Sequence, residues 1–300
     1  MLRKRKPLQS KSEVILRNIV LTFLVVYMII FLIIPVMIAF VGSFHIWNPL
    51  NGTYKWTGLD NYIRMFQYPT FWLSMKNTVI FCAVVVFFRI VLGLALAYGI
   101  TSKLIKHKTF FRTIFYMPTV TPLVAVAYVW KIMYNPQFGL INNLFGFDIN
   151  WLYSSKFALP AVMLMTIWKD FGYAVILFMS GLLSIPSDYY EASNIDGANA
   201  WQTFRYITLP LLKPTMVFVV ITSLISYLQA YVPVMVMTKG GPGTSTFLSS
   251  YLVYDQAFVK YNFGYASAIA FFILIFTAIL TVFSFRLTGD STSKKKKVRS

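Results

Sequence analysis

The chain has 300 residues, 58% of them hydrophobic and only 12% charged. Its apolar residues gather in runs too long for the core of a soluble domain, which excludes a soluble globular protein. The net charge of +18 would suit nucleic acid, but the basic residues sit in tails and at the ends of apolar runs, with no folded domain to carry a reading surface, so membrane lipid headgroups rather than nucleic acid are the expected partner.

A bilayer core about 30 Å thick takes on the order of 20 apolar residues per helix. Six stretches meet that length: 19–44, 75–100, 112–133, 157–184, 214–237 and 264–286. Such runs, without dyad alternation, satisfy their backbone groups as helices rather than as a barrel. The predicted fold class is therefore an all-α polytopic membrane protein with six transmembrane helices. It divides into a basic tail over 1–18, a transmembrane domain over 19–286 and a basic tail over 287–300. The first stretch is too long for a signal-peptide core and lacks a small-x-small cleavage site, so it is expected to stay as the first span. Cys82, the only cysteine, lies in the second span and excludes an internal disulfide and a Cys-based metal cluster.

Lysine and arginine set the orientation. The N-terminal tail holds Arg3, Lys4, Arg5, Lys6, Lys11 and Arg17; the second connection holds Lys103, Lys106, Lys108 and Arg112; the C-terminal tail adds Arg286, Lys294 to Lys297 and Arg299. The opposite loops hold only Lys55, Arg64, Lys156, Lys239 and Lys260, with Lys76 and Lys131 at adjoining span ends. This bias predicts that both termini face the cytoplasm. Of the three external segments, "HIWNPLNGTYKWTGLDNYIRMFQYPTFW" reads as a compact loop and "NPQFGLINNLFGFDINWLYSS" as a short surface helix. The third opens with "TKGGPGTST". No internal repeat supports an inverted-repeat carrier.

The largest cytoplasmic connection, between spans four and five, reads "SIPSDYYEASNIDGANAWQTFRYITLPLLKP". Pro186-Ser187 is a helix-start pair in which the Ser hydroxyl can cap free N–H groups, and Asp188 suits the positive end of the dipole. A short helix to about Asn194 ends at Asp196-Gly197, where Gly takes the left-handed conformation a sharp turn requires. A second helical run from Ala198 to about Ile207 leads to Pro210, and Pro214 opens span five. Ala192 and Ser193 are small enough to let another backbone approach. Composition alone leaves open an interfacial helix that merely joins two spans.

The spacing of Glu191, Ala192, Ser193, Gly197, Ile207, Leu209 and Pro210 resembles the cytoplasmic "EAA" loop of permease subunits in binding-protein-dependent ABC importers, with Ser193 where the family's second Ala usually sits. The resemblance implies a type I ABC importer permease fold whose coupling helix docks in a groove of a separate ATPase. It assigns that docking to Ser187, Asp188, Tyr190, Glu191, Ala192, Ser193, Asp196 and Gly197. "GLDNYIRMFQYPTFWLSMKNTVIF", "TKGGPGTST" and "NFGYASAIA" are similar to the carbohydrate-uptake branch, in the first of its two subunit types. The assembly it implies contains a second homologous permease, two ATP-binding-cassette subunits and an external sugar-binding protein, in the cytoplasmic membrane of a bacterial cell. No "G-x-x-x-x-G-K-[ST]" occurs, so this chain is expected to be no enzyme and to carry no cofactor, with ATP and Mg bound by the partner ATPases.

Charges in mid-span need partners or water, because each costs about 2.5–3.5 kcal/mol on insertion scales. Arg89 in span two and Lys169-Asp170 in span four, beside Trp168, are such charges. Adjacent residues on a helix point about 100° apart, so Lys169 and Asp170 are not expected simply to neutralise each other. They are read either as an ion-pair set with Arg89 or as lining of a solute path, with Trp168 next to them. Span five adds Ser226, Tyr227, Gln229 and Tyr231, hydrogen-bonding and flat aromatic groups of the kind that bind sugars. Pro233 is expected to kink that span. The family commonly holds Phe at the position of Tyr231 and Asp at that of Val232, a departure that makes Tyr231 and Gln229 the preferred solute contacts. The alternative is an ion-coupled carrier or channel using Arg89, Lys169 and Asp170 as a charge relay.

Overall fold

The computed structural model describes residues 11–102 and 105–296. Arg3 to Lys6, Lys103, Lys297 and Arg299, on which the orientation argument partly rests, lie outside the described residues. Helix α1 (Lys11–Met28) runs through a wider turn at Ile29–Ile33 into α2 (Ile34–Gly42). Apolar side chains from Ile19 to Val41 stay exposed on every side of this rod, as suits a helix surrounded by hydrocarbon or by another subunit. Its C-terminal end meets the rest of the chain, where the Phe40 ring lies 5.1 Å from that of Phe271.

The segment after this rod, expected as a compact loop, is more ordered than that. It forms an antiparallel hairpin, β1 (His45–Asn48) and β2 (Thr53–Trp56), with His45 opposite Trp56, followed by α3 (Asp60–Gln67). Asn48 and Asn51 accept the Leu50 and Thr53 amides in the turn, at 3.0 Å each, a local use of Asn that loops favour. Asn61 then donates to the carbonyls of Ser43 at 2.8 Å and His45 at 2.9 Å, tying α3 to the hairpin.

Helix α4 (Pro69–Thr101) opens with proline in its first turn, where no N–H is missed. The third apolar stretch is two helices, not the single rod expected over 112–133. Helix α5 (Lys108–Val120) and α6 (Leu123–Met133) meet at 93°, because Pro122 lacks an N–H and Thr121 before it is extended. After the short surface helix α7 (Leu140–Phe145), α8 (Ala158–Leu183) crosses unbroken. The connection over 185–212 folds as α9 (Ser187–Ile195), α10 (Ala200–Thr203), a wider turn at Phe204–Thr208 and α11 (Leu209–Leu211). Helix α12 (Lys213–Leu228) leaves it at 63°. Next come α13 (Val232–Met237), α14 (Ser249–Tyr254) and α15 (Phe263–Lys296). Among the described residues four helices are long and apolar enough to cross a membrane, and up to six crossings result if each bent pair counts as one.

The core is centred on α4 against α8, with α5 on the other side of α8. Water plays no part in joining helices inside a bilayer, so close contact through small residues does the work. A Cβ on Gly93 would stand 2.7 Å from that of Ala174, and one on Gly172 would overlap the Phe115 carbonyl oxygen. Gly99, by contrast, has open space. Gly172→Ala should therefore separate α5 from α8 and cost about 1–3 kcal/mol. Gly99→Ala should be neutral or slightly stabilising. Thermal unfolding of the detergent-solubilised variants measures both.

Candidate functional site

Helix α9 projects between the ends of α8 and α12. Its N-cap is Pro186, and Ser187 is already helical with its hydroxyl 3.4 Å from the Asp188 carboxylate. The capping role expected of Ser187 is thus corrected: the hydroxyl is one residue too late in the helix to reach free N–H groups. Asp196 ends the helix and Gly197 turns the chain with φ +73°, a conformation that costs any residue with a Cβ. Asn199 caps α10, accepting from the Gln202 amide at 2.9 Å while Gln202 accepts from Asn199 N–H at 2.8 Å, a reciprocal box that fixes where the second helix begins.

Two side-chain staples hold α9 to the segment between Thr203 and Thr208. The hydroxyls of Ser193 and Thr203 lie 3.1 Å apart, and Thr208 donates to the Tyr190 hydroxyl at 3.4 Å. Ser193 is only 4% exposed. Its small size therefore lets its own loop close and gives no room for an outside backbone, which corrects the expectation for that residue. Glu191, Ala192 and Asp188 do face outward. Beside them stand Ile195, 87% exposed, and the exposed rings of Tyr189, Trp201 and Tyr206. The spacing of the motif gave no sign of these exposed apolar side chains; the clue available was the presence of Ile195 and Trp201 in the insert.

In mid-membrane a second group of residues converges. Arg89 of α4 donates from Nη1 to the Ser223 hydroxyl at 3.0 Å and the Tyr227 hydroxyl at 3.2 Å. Tyr227 of α12 donates onward to Asp170 Oδ2 at 3.1 Å. The other carboxylate oxygen lies 3.6 Å from Lys169 Nζ. Lys169 also donates to the Thr119 carbonyl at 3.2 Å, one of the groups freed near the α5–α6 break. Lys169 and Asp170 therefore do pair, against the expectation from their angular separation. The long, flexible lysine stem swings back across the gap. The charges form one chain, Arg89 to Tyr227 to Asp170 to Lys169, across three helices. Tyr227 as its central link was not legible in the sequence, nor were Ser223 and Thr119.

A cavity of about 240 Å³ opens beside this chain, lined by Lys169, Asp170, Tyr227, Ser226, Gln229 and Tyr231 with the start of α13. Trp168 is not among its walls; its ring lies 5.5 Å from Trp130, on another face of α8. Gln229 and Tyr231 also wall a second chamber of about 430 Å³ towards α14 and α15. There the Tyr231 and Tyr254 rings stack at 5.8 Å. Tyr254 was missed by the sequence reasoning. Residues 229–231 lie outside any helix, and Pro233 sits in the first turn of α13. It opens a new helix after a break and does not bend a continuous one, so the kink expected at Pro233 is corrected to an interruption just before it.

A bent pair on span three, an interrupted span five, and a helix-turn-helix knob between spans four and five define a transport permease. The chain belongs to the family described as binding-protein-dependent transport system inner membrane component, whose pattern matches residues 89–289. It is similar to a probable ABC transporter permease protein of Pyrococcus horikoshii, 36% identical over 80% of this chain and 84% of that one. The trehalose/maltose transport system permease of Thermococcus litoralis is 35% identical over 86% of this chain and 88% of its own. In fold it is similar to a chain of a bacterial ABC transporter involved in import of the acidic polysaccharide alginate. The TM-score is 0.81 and the identity 24%, over 93% of this chain and 96% of that one.

Tyr227→Phe removes the hydroxyl that joins Arg89 to Asp170 and leaves buried charge under-bonded. The expected cost is about 1–3 kcal/mol, read as a lower unfolding temperature, whereas Tyr231→Phe, at an exposed ring with no such bond, should change stability little.

Proposed function

We propose that the chain is the membrane-spanning subunit of an ATP-driven importer that passes a carbohydrate from an external binding protein to the cytoplasm. The observation that carries this reading is the α9–Gly197–α10 knob, which offers Glu191, Ala192 and Ile195 to a partner while both its ends continue into spans four and five. A rigid knob rooted in two rods converts a push from a motor into movement of both rods. The motor is a pair of ATPase subunits, which bind ATP and Mg; this chain supplies no cofactor and no catalytic group. A second, homologous permease completes the path. Both termini and the knob lie in the cytoplasm of a bacterial cell, in accord with the lysine and arginine bias.

The carbohydrate assignment draws on the Thermococcus litoralis relative's trehalose/maltose transport and on the chemistry of the cavity. Sugars need hydrogen-bonding groups set beside flat apolar faces. Gln229, Ser226 and Lys169 provide the first, and the stacked rings of Tyr231 and Tyr254 the second. Solute would enter with the knob drawn one way and leave with it drawn the other, an equilibrium biased by ATP through its different affinities for the two states.

Glu191→Lys tests the reading. The variant should insert in the membrane and unfold at the wild-type temperature, because Glu191 is exposed, yet lose ATP-driven uptake and co-purification with the ATPases. Wild-type uptake by the variant, or solute movement by the purified chain on an ion gradient without ATP, would refute the assignment.

A further inference from the structure

The cavity beside Asp170 carries an unbalanced charge. Arg89 and Lys169 are two cations and Asp170 the one anion of the chain that joins them, so the cluster has an excess of one positive charge. Arg89 is 6% exposed and Lys169 8% exposed. No carboxylate lies within ion-pair distance of Arg89 among the described residues. Its charge is met by two hydroxyls and by the rings of Tyr173 and Tyr227, at 5.4 and 5.7 Å from the guanidinium carbon. Its Nε–H is buried with no hydrogen-bond partner among the described residues. Such a group is costly in a low dielectric and usually marks a pathway. The excess is felt in the cavity because Lys169, Asp170 and Tyr227 form its wall.

We propose that the solute is an anionic carbohydrate, bearing a carboxylate or a phosphate, whose negative charge is met by Lys169 and by the Arg89 field while its ring lies against Tyr231. This deepens the importer reading and rests on it. The two chambers share Gln229 and Tyr231 as walls, so a saccharide longer than one ring can place an apolar ring face on the Tyr231–Tyr254 stack and its charged group next door at Lys169. A neutral sugar of equal size would find the same ring stack but would leave the positive excess unmet. Because the interaction acts across a poorly screened interior, it discriminates strongly by charge. Asp170 takes the opposite part: it holds Lys169 and Tyr227 in place and prevents the excess from rising to two.

The test uses the permease assembled with its partner subunits in nanodiscs, without the external binding protein, so that the latter's own selectivity does not enter. Binding of trigalacturonate, maltose 6′-phosphate and maltotriose is measured by radioligand retention. At least one anionic probe should bind ~10-fold or more tightly than maltotriose, and which one does separates carboxylate from phosphate recognition. Arg89→Gln and Lys169→Gln should abolish the preference, and Asp170→Asn should keep or raise it. Arg89→Lys retains the charge and should retain the preference, which distinguishes charge from folding; unfolding temperatures accompany each variant. Equal binding of all three probes, absence of binding by both anions, or an undiminished preference in Arg89→Gln would each overturn the proposal. The importer reading fails on a different result: no ATP-driven uptake of any solute when the complete system, binding protein included, is placed in proteoliposomes.

Discussion

Hydrocarbon offers no hydrogen bonds, so charged groups inside it must find partners in the protein, and here the three mid-span charges are joined in one chain of contacts. Arg89, Tyr227, Asp170 and Lys169 join α4, α12 and α8 through bonds of 3.1 to 3.6 Å. Lys169 extends the chain to α5 through the Thr119 carbonyl. Without these bonds, three charges would stand apart in the bilayer at a cost of several kcal/mol. The relative placement of four spans around the cavity depends on them, with glycine contacts such as Gly93 against Ala174 allowing the close approach the bonds require.

The same rods serve the cavity and the knob. Helix α8 carries Lys169 and Asp170 in its middle and runs on to α9 through Ser184–Pro186; α12 begins after the knob and carries Tyr227 in its last turn. A displacement of the knob therefore reaches the cavity through two stiff helices and needs no further relay. Ser193, Tyr190 and the Asn199–Gln202 box make the knob rigid enough to transmit it. The ring of Phe204, 5.1 Å from Tyr98, also braces it on α4. The interruption at 229–231 marks where the rod stops and the next segment, α13, takes up its own direction.

Much of this was legible from residues alone, for reasons that differ by element. Span lengths are set by the thickness of hydrocarbon, and the α9–Gly197 turn by the need for a positive φ after Asp196. Other features depend on what the chain meets when folded. The 45–56 hairpin is made of aromatic and turn residues that serve equally well in an interfacial loop, so its pairing could not be separated from membrane-anchoring composition. Pro233 announced irregular backbone but not its form, since a proline can kink a helix or begin one, whereas Pro122 lay unremarked inside the 112–133 run. The pairing of Lys169 with Asp170 defeated reasoning from helix angles because a lysine stem is longer than the gap. Ser193 occupied a motif position without facing outward, because periodicity tells which residues share a face and not what covers it.

The central claim is that an ATPase grips the outer face of α9. Cys82 is buried and is the only native cysteine, so a cysteine placed at exposed Ala192 gives a single reporter. Maleimide labelling of Ala192→Cys in a Cys82→Ser background should be fast in the isolated chain and nearly abolished once the ATPases are bound. Equal labelling rates with and without bound ATPases would contradict the account.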